Sequence, residues 1–270
     1  MNPILNSYEK KQLELLEEWK LAEPTLLTQS IATALSPIKR VSKHLIPESA
    51  IRGVLDFSLY SANRLADLED IVLRAGVTEI AQLQYEDLEI CDVLADEFHK
   101  EALAYATVEG VGVGLLGLPG IGIDIPAIIT LAIRTTLRIA ACYGFSLQSV
   151  EDRQLLLGIM AISAANNKEE KSVALANVAK MARQRVPETT QQVAEQVVEK
   201  KLEGRTSVIL LYKLAEQLAV NLTQRKFLQV VPLLGGVLGG TVNASYINDV
   251  AWAARRTFQE KCLYDQQKLS

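Results

Sequence analysis

A chain of 270 residues, 49% apolar and 22% charged, carries enough non-polar side chain to build a sizeable core, which excludes wholesale disorder. A formal charge of −4 and a pI near 5.4 run against a dedicated nucleic-acid binder, which needs a basic face. Cys91, Cys142 and Cys262 are far apart and odd in number. Neither a disulfide framework nor a zinc site is expected from them, and a reducing, cytoplasmic compartment fits best.

Ser7 is expected to cap a first helix running through Glu23, with Leu13, Leu16 and Trp19 on one stripe and Glu14, Glu17, Glu18 and Lys20 opposite. Residues 1–21 are charged and amphipathic, so no signal peptide is expected. Pro24 suits the first turn of a helix that reaches Ile46 and kinks or splits at Pro37. Pro47 opens a third, in which Ile51, Leu55, Leu59, Ala62, Ala66 and Leu73 recur at helical spacing before Gly76 ends it. A turn over Thr78–Leu83 precedes a long helix from Asp87 to Val108.

The middle of the chain changes character. Val111–Gly122 carries five glycines in twelve residues, which suits close approach of packed backbones. Asp124 and Pro126 are then expected to open a helix over Ala127–Tyr143, closed by Gly144. Glu151–Ala165 and Glu169–Arg185 form a helical pair about a turn at Asn166–Asn167, and Pro187 stops the second. A polar connector over Thr189–Gly204 and a helix over Thr206–Lys226 follow. Phe227–Asn248 is 22 residues without a charge and includes Pro232 and four glycines. A helix with Tyr246, Val250, Trp252 and Phe258 closes the chain.

No segment alternates with period two between turn signals, so no strand is expected. The fold class is all-α: one large helical domain, with two Gly/Pro-rich apolar hairpins packed against each other in the core. Residues 1–46 are expected to form an N-terminal helical extension and residues 47–270 the main domain. Gly117, Gly120 and Asp124 echo Gly236, Gly239 and Asn243 at a constant offset, too few positions to establish a repeat.

Two runs carry a resemblance. Gly117-Leu-Pro-Gly-Ile-Gly-Ile-Asp-Ile-Pro-Ala-Ile-Ile-Thr-Leu-Ala-Ile-Arg134, followed by Ile139-Ala-Ala-Cys-Tyr-Gly-Phe145, resembles the central signature of EcsC family proteins. So does Arg225-Lys-Phe-Leu-Gln-Val-Val-Pro-Leu-Leu-Gly-Gly-Val-Leu-Gly-Gly240 with Asn243 after it. Residues 1–45 and 186–204 match least, so residues 47–270 are the EcsC-like part. The resemblance implies an α-helical, bacterial-type protein, often encoded beside a transporter. It implies no established catalytic residues.

The glycines do not form a phosphate loop, because no Gly-Lys-Ser/Thr accompanies them and no strand precedes them. Asp124 is expected to cap a helix, or else to join a buried ion pair with Arg134 or Arg138, closed by Glu109 or a group from the second hairpin. Glu109, Asp124, Arg134, Arg138 and Asn243 are thus the candidate polar core, structural or functional. Asp92, Asp96 and His99 share a helical face that could hold a metal, but a solvated face is the expected reading. There is no Gly-x-Ser-x-Gly, and His44 is the only other histidine. No catalytic residue, cofactor or metal is therefore expected.

Residues 1–102 carry 10 Lys/Arg and 18 Asp/Glu, so the remainder of the chain is net positive. Arg225, Lys226, Arg255 and Arg256 flank the uncharged stretch, while its glycines, proline and asparagines make it a poor lipid-facing span. The functional expectation is a non-enzymatic accessory factor, docking peripherally on the cytoplasmic membrane face or on a transporter complex. A soluble interaction scaffold, or a hydrolase with an unrecognised site, is the alternative. No nucleic-acid partner is expected.

Overall fold

The computed structural model describes residues 5–24, 53, 66–114, 118–147, 150–183 and 235–269. Within its helices the side chains of residues 109–114, 118–125, 150, 151, 153, 183 and 235–241 are not described. Seven α-helices and one 3-10 helix account for most of the described residues, and none of these residues lies in a strand. The fold is all-α. The helix expected over residues 24–46 and those expected between residues 189 and 226 lie outside the described residues. So does the boundary expected at residue 46.

Helix α1 spans Ser7–Leu21. Its cap is Asn6, not Ser7: Asn6 Oδ1 accepts from Glu9 N at 2.8 Å, and Glu9 Oε2 accepts from Asn6 N at 2.9 Å. This reciprocal box satisfies two backbone donors at once, which a Ser7 cap with Lys10 at the third helical position would not.

Helix α2 spans only Leu68–Ala75. The continuous helix expected up to Gly76 is broken at Asp67, whose φ is 50°. The break resets the helical phase. Ile71 is therefore fully buried, while Leu73, expected on the core stripe, is 80% exposed. A 3-10 helix over Ile80–Tyr85 takes the place of the expected turn.

Helix α3 runs Leu88–Gly114 and α4 runs Leu118–Cys142. The glycine-rich run is thus helical on both sides of residues 115–117, and α3 continues past Val108. Pro119 occupies the first turn of α4, where the missing N–H costs nothing. Asp124 and Pro126, expected to open this helix, lie inside it instead, so Asp124 is not its N-cap. Thr130, Thr135 and Thr136 each return a hydroxyl to the carbonyl four residues earlier, at 2.8–2.9 Å, so these hydroxyls enter an apolar helix without being left unsatisfied.

Helices α5 (Val150–Ala164) and α6 (Lys168–Arg183) form the expected pair. Asn167 Oδ1 accepts from Glu170 N at 2.8 Å at the turn between them. A Cβ on Gly158 would stand 2.6 Å from Val178 Cγ2, so here a glycine does permit close approach.

Helix α7, Gly235–Asp265, is a single unbroken element of 31 residues, roughly 46 Å long. Gly235, Gly236, Gly239 and Gly240 lie inside it. It packs along α3 and also meets α4, α5 and α6. Tyr246, Ile247, Val250, Ala251, Ala253, Ala254 and Phe258 form one broad apolar face and are at most 1% exposed, while Arg255, Arg256 and Gln259 on the other side are buried as well. A helix covered on both sides stands at the centre of the bundle. The described end of the uncharged stretch is therefore core: Val242 and Asn243 are buried too. Packing of the two expected hairpins against each other involves side chains that are not described. No helix among the described residues is long and apolar enough to cross a membrane.

Gly144 ends α4 as expected, with φ 85°. Its carbonyl accepts from Gln84 Nε2 at 2.8 Å, and a Cβ there would meet Gln84 N at 2.4 Å. Gly76 has a similar φ of 67° but open space around it. Gly76→Ala should lose about 1–2 kcal/mol, the cost of a left-handed Cβ. Gly144→Ala should lose clearly more, because the 3-10 helix must also retreat. Urea unfolding of the two variants side by side measures the difference.

Candidate functional site

Asp92 lies on the face of α3 that meets α7, and it is 3% exposed. A carboxylate taken out of water is costly unless donors surround it. Three do. Oδ1 accepts from Tyr143 Oη at 2.5 Å and from Gln259 Nε2 at 2.7 Å, and Oδ2 accepts from Tyr8 Oη at 2.7 Å. Burial, with the adjacent carboxylate, pushes both phenols well above their ordinary range, so they remain protonated donors.

The network extends through consecutive arginines on α7. Arg255 Nη1 meets Asp96 Oδ1 at 3.0 Å, and Arg255 Nη2 donates to the Asp92 carbonyl at 3.4 Å. Asp96 also holds Lys100 at 2.6 Å. The Lys100 bond, and then Arg255, keep the Asp96 carboxyl below its usual range against the opposing effect of burial. Arg256 Nη1 donates to Gln12 Oε1 at 3.0 Å and to Gln259 Oε1 at 2.8 Å, so Gln259 links Asp92 to Arg256. His99 is 5% exposed, bonds Asn248 Oδ1 at 3.0 Å and sets its ring edge-on to Trp252.

Of the face expected to be solvated, Asp92 and His99 are instead buried in the seam between α3 and α7, while the Asp96 side chain stays 40% exposed at its edge. Gln259 claims the Asp92 carboxylate there and Arg255 that of Asp96. No metal-holding group of histidine, cysteine and carboxylate side chains forms among the described residues.

A second cluster joins α2, α3 and α4. Arg138, 6% exposed, meets Asp70 Oδ2 at 2.5 Å and Glu101 Oε2 at 3.1 Å. Arg74 closes the ring through Asp70 Oδ1 at 2.9 Å and Glu101 Oε1 at 2.7 Å. Both guanidiniums lie over the Phe98 ring, 4.1 and 4.8 Å from its centroid. Alternating charge around one aromatic face lets two cations share two carboxylates without like charges touching.

The candidate polar core does not assemble as one site among the described side chains. Arg138 is in a buried ion pair, but its partners come from α2 and α3. Arg134 stands instead over the Tyr105 ring at 5.6 Å. Asn243 is buried in α7, and the side chains of Glu109 and Asp124 are not described. The sequence reading missed Tyr8, Asp70, Tyr143 and Gln259. One signal was present: an arginine between Leu137 and Ile139 implies a buried counter-charge.

This arrangement fastens helices rather than presenting a reactive group. All three cysteines are buried, and burial raises the Cys91 thiol to about 12 and Cys262 to about 11, so neither is a ready nucleophile.

The EcsC protein family matches residues 10–263, almost the entire chain and both polar clusters apart from Tyr8. The chain belongs to the EcsC protein family. A similar protein is Uncharacterized protein YdbA of Bacillus subtilis (strain 168), 24% identical over 181 residues. That likeness covers 67% of this chain and 61% of the relative, so the chain spans about three-fifths of YdbA's length. No solved structure matches. In this EcsC chain the family match begins inside α1, and α1 is fastened to the core through Tyr8, Gln12 and Lys20.

Removing the acceptor should damage the fold more than removing one donor. Asp92→Ala leaves two phenols and an amide unsatisfied and should lose about 3 kcal/mol or more, whereas Tyr143→Phe should lose about 1–3 kcal/mol, both read by denaturant unfolding. A pH effect follows from His99, which burial, with Arg255 nearby, holds below the ordinary histidine value. Below about pH 6.5 the unfolded chain takes up a proton that folded His99 refuses, so stability falls as pH drops. His99→Gln should flatten the stability profile between about pH 7 and 5.

Proposed function

We propose that the protein is a non-enzymatic helical accessory factor that docks peripherally on a membrane surface through the end of its α3–α4 hairpin. The observation that carries this reading is the exposure of Tyr105 (53%) and Val108 (74%) on the last described turns of α3. They lead straight into Gly110–Ile123, fourteen residues without a charge. A tyrosine at the base of an apolar hairpin suits the headgroup level of a bilayer. Arg134, stacked on Tyr105, brings a cation to the same level, where anionic headgroups would meet it. Glu109 and Asp124 bound the uncharged run, which favours shallow contact over deep insertion.

The second uncharged stretch is a weaker docking candidate. Its described end is core, and Arg255 and Arg256, which would flank it at a membrane, are 7% and 6% exposed and bonded within the protein. The hydrolase alternative gains no support from the two polar clusters, whose carboxylates are engaged by donors. A soluble scaffold is the other reading, favoured by exposed Tyr85, Ile90 and Val93 around the start of α3.

Fractionation tests the proposal. The protein should sediment with membranes, leave them in carbonate or high salt, and appear in the soluble fraction when Tyr105 and Val108 are both changed to Asp, with an unchanged melting temperature. Recovery of the unmodified protein only in the soluble fraction would favour the scaffold. Retention until detergent is added would mean a span.

A further inference from the structure

A cleft of about 330 Å³ opens where α1 ends against α5, α6 and α7. Trp19 and Trp252 both line it, and they are the chain's two tryptophans. Its cationic lining is Lys171 and Arg256, each 6% exposed. Neither cation's hydrogen bonds go to a carboxylate. Lys171 Nζ donates to the carbonyls of Trp19 at 2.5 Å and Ala22 at 2.8 Å. Arg256 donates through Nη1 to two glutamine amides, and no hydrogen bond takes up its Nη2. Asp92 is linked to Arg256 only through Gln259.

A largely buried guanidinium with donor capacity to spare, facing a cavity of ligand size, is an anion site. Two further features narrow the anion. Glu23 and Asp249 also line the cleft, each engaged in interactions of its own. Their negative charge disfavours a multiply charged anion such as phosphate. The indoles and Ile162 supply flat, apolar walls. We propose that this cleft binds a small organic monocarboxylate with a planar apolar body, its carboxylate held by Arg256 and its ring between Trp19 and Trp252.

Because both tryptophans line the cleft, tryptophan emission reports on it. The full-length protein is titrated with benzoate, with the neutral isostere benzamide and with inorganic phosphate. Benzoate should give a saturable emission change and raise the melting temperature, with benzamide and phosphate at least about tenfold weaker. Arg256→Lys, which cannot offer a planar fork, should weaken benzoate by about tenfold. Should that variant fail to fold, Lys171→Met is the second test and should weaken benzoate several-fold, with benzamide unaffected. Benzamide binding as tightly as benzoate, phosphate doing so, no saturable response to benzoate, or unaltered affinity in the folded variants would each overturn the proposal.

Discussion

A carboxylate sealed inside a protein must be surrounded by donors, and Asp92 meets that demand from three directions. Tyr8 comes from α1, Tyr143 from the residue that follows α4, and Gln259 from α7. None of the three is near Asp92 in the chain, so satisfying one charge fixes three elements relative to α3. Both α3 and α7 bury small side chains, Ala95, Ala102, Ala251 and Ala254 among them, and such surfaces tolerate sliding. A charge with a defined set of donors does not. Burying it is costly, and the return is one register instead of several.

The ring of Arg138, Asp70, Arg74 and Glu101 does the same for α2. That helix has eight residues and one buried side chain of its own, Ile71. Apolar burial on that scale is too small to hold it in place. The ring supplies the attachment, and Phe98 gives it a rigid floor. The bundle therefore uses polar clusters both where a helix is short and where its two longest helices meet.

These roles divide what the residues disclose in advance. Local signals were legible: the helical class, Gly144 after α4, the Asn166–Asn167 turn and the break in character at the glycine run. Capping and phase were less so. Asp67 takes a left-handed backbone in the middle of a helical pattern, and that single residue moves Leu73 from the core to the surface. Pro119 and Pro126 both suit a helix start, and only the backbone separates them. The polar clusters were the least legible. Asp92, Asp96 and His99 at helical spacing look like a wet face, because all their partners but Lys100 stand 51 to 167 residues away. A window along the chain sees the charges and not the donors.

The fastening of α1 has a consequence for how the protein is made. Its bonds run to Asp92, to Lys171, to Arg256 and Glu260 in α7, and from Glu9 to Lys268 at 2.6 Å. Synthesis delivers α1 well before α7. Until α7 emerges, α1 lacks the partners in that helix that fasten it, and a helix of 15 residues is marginal alone in water. At roughly 5–20 residues per second, that wait lasts on the order of ten seconds to a minute. During it, Leu16 and Trp19 face the solvent of a crowded cell, so this segment is where a nascent-chain chaperone would find its grip.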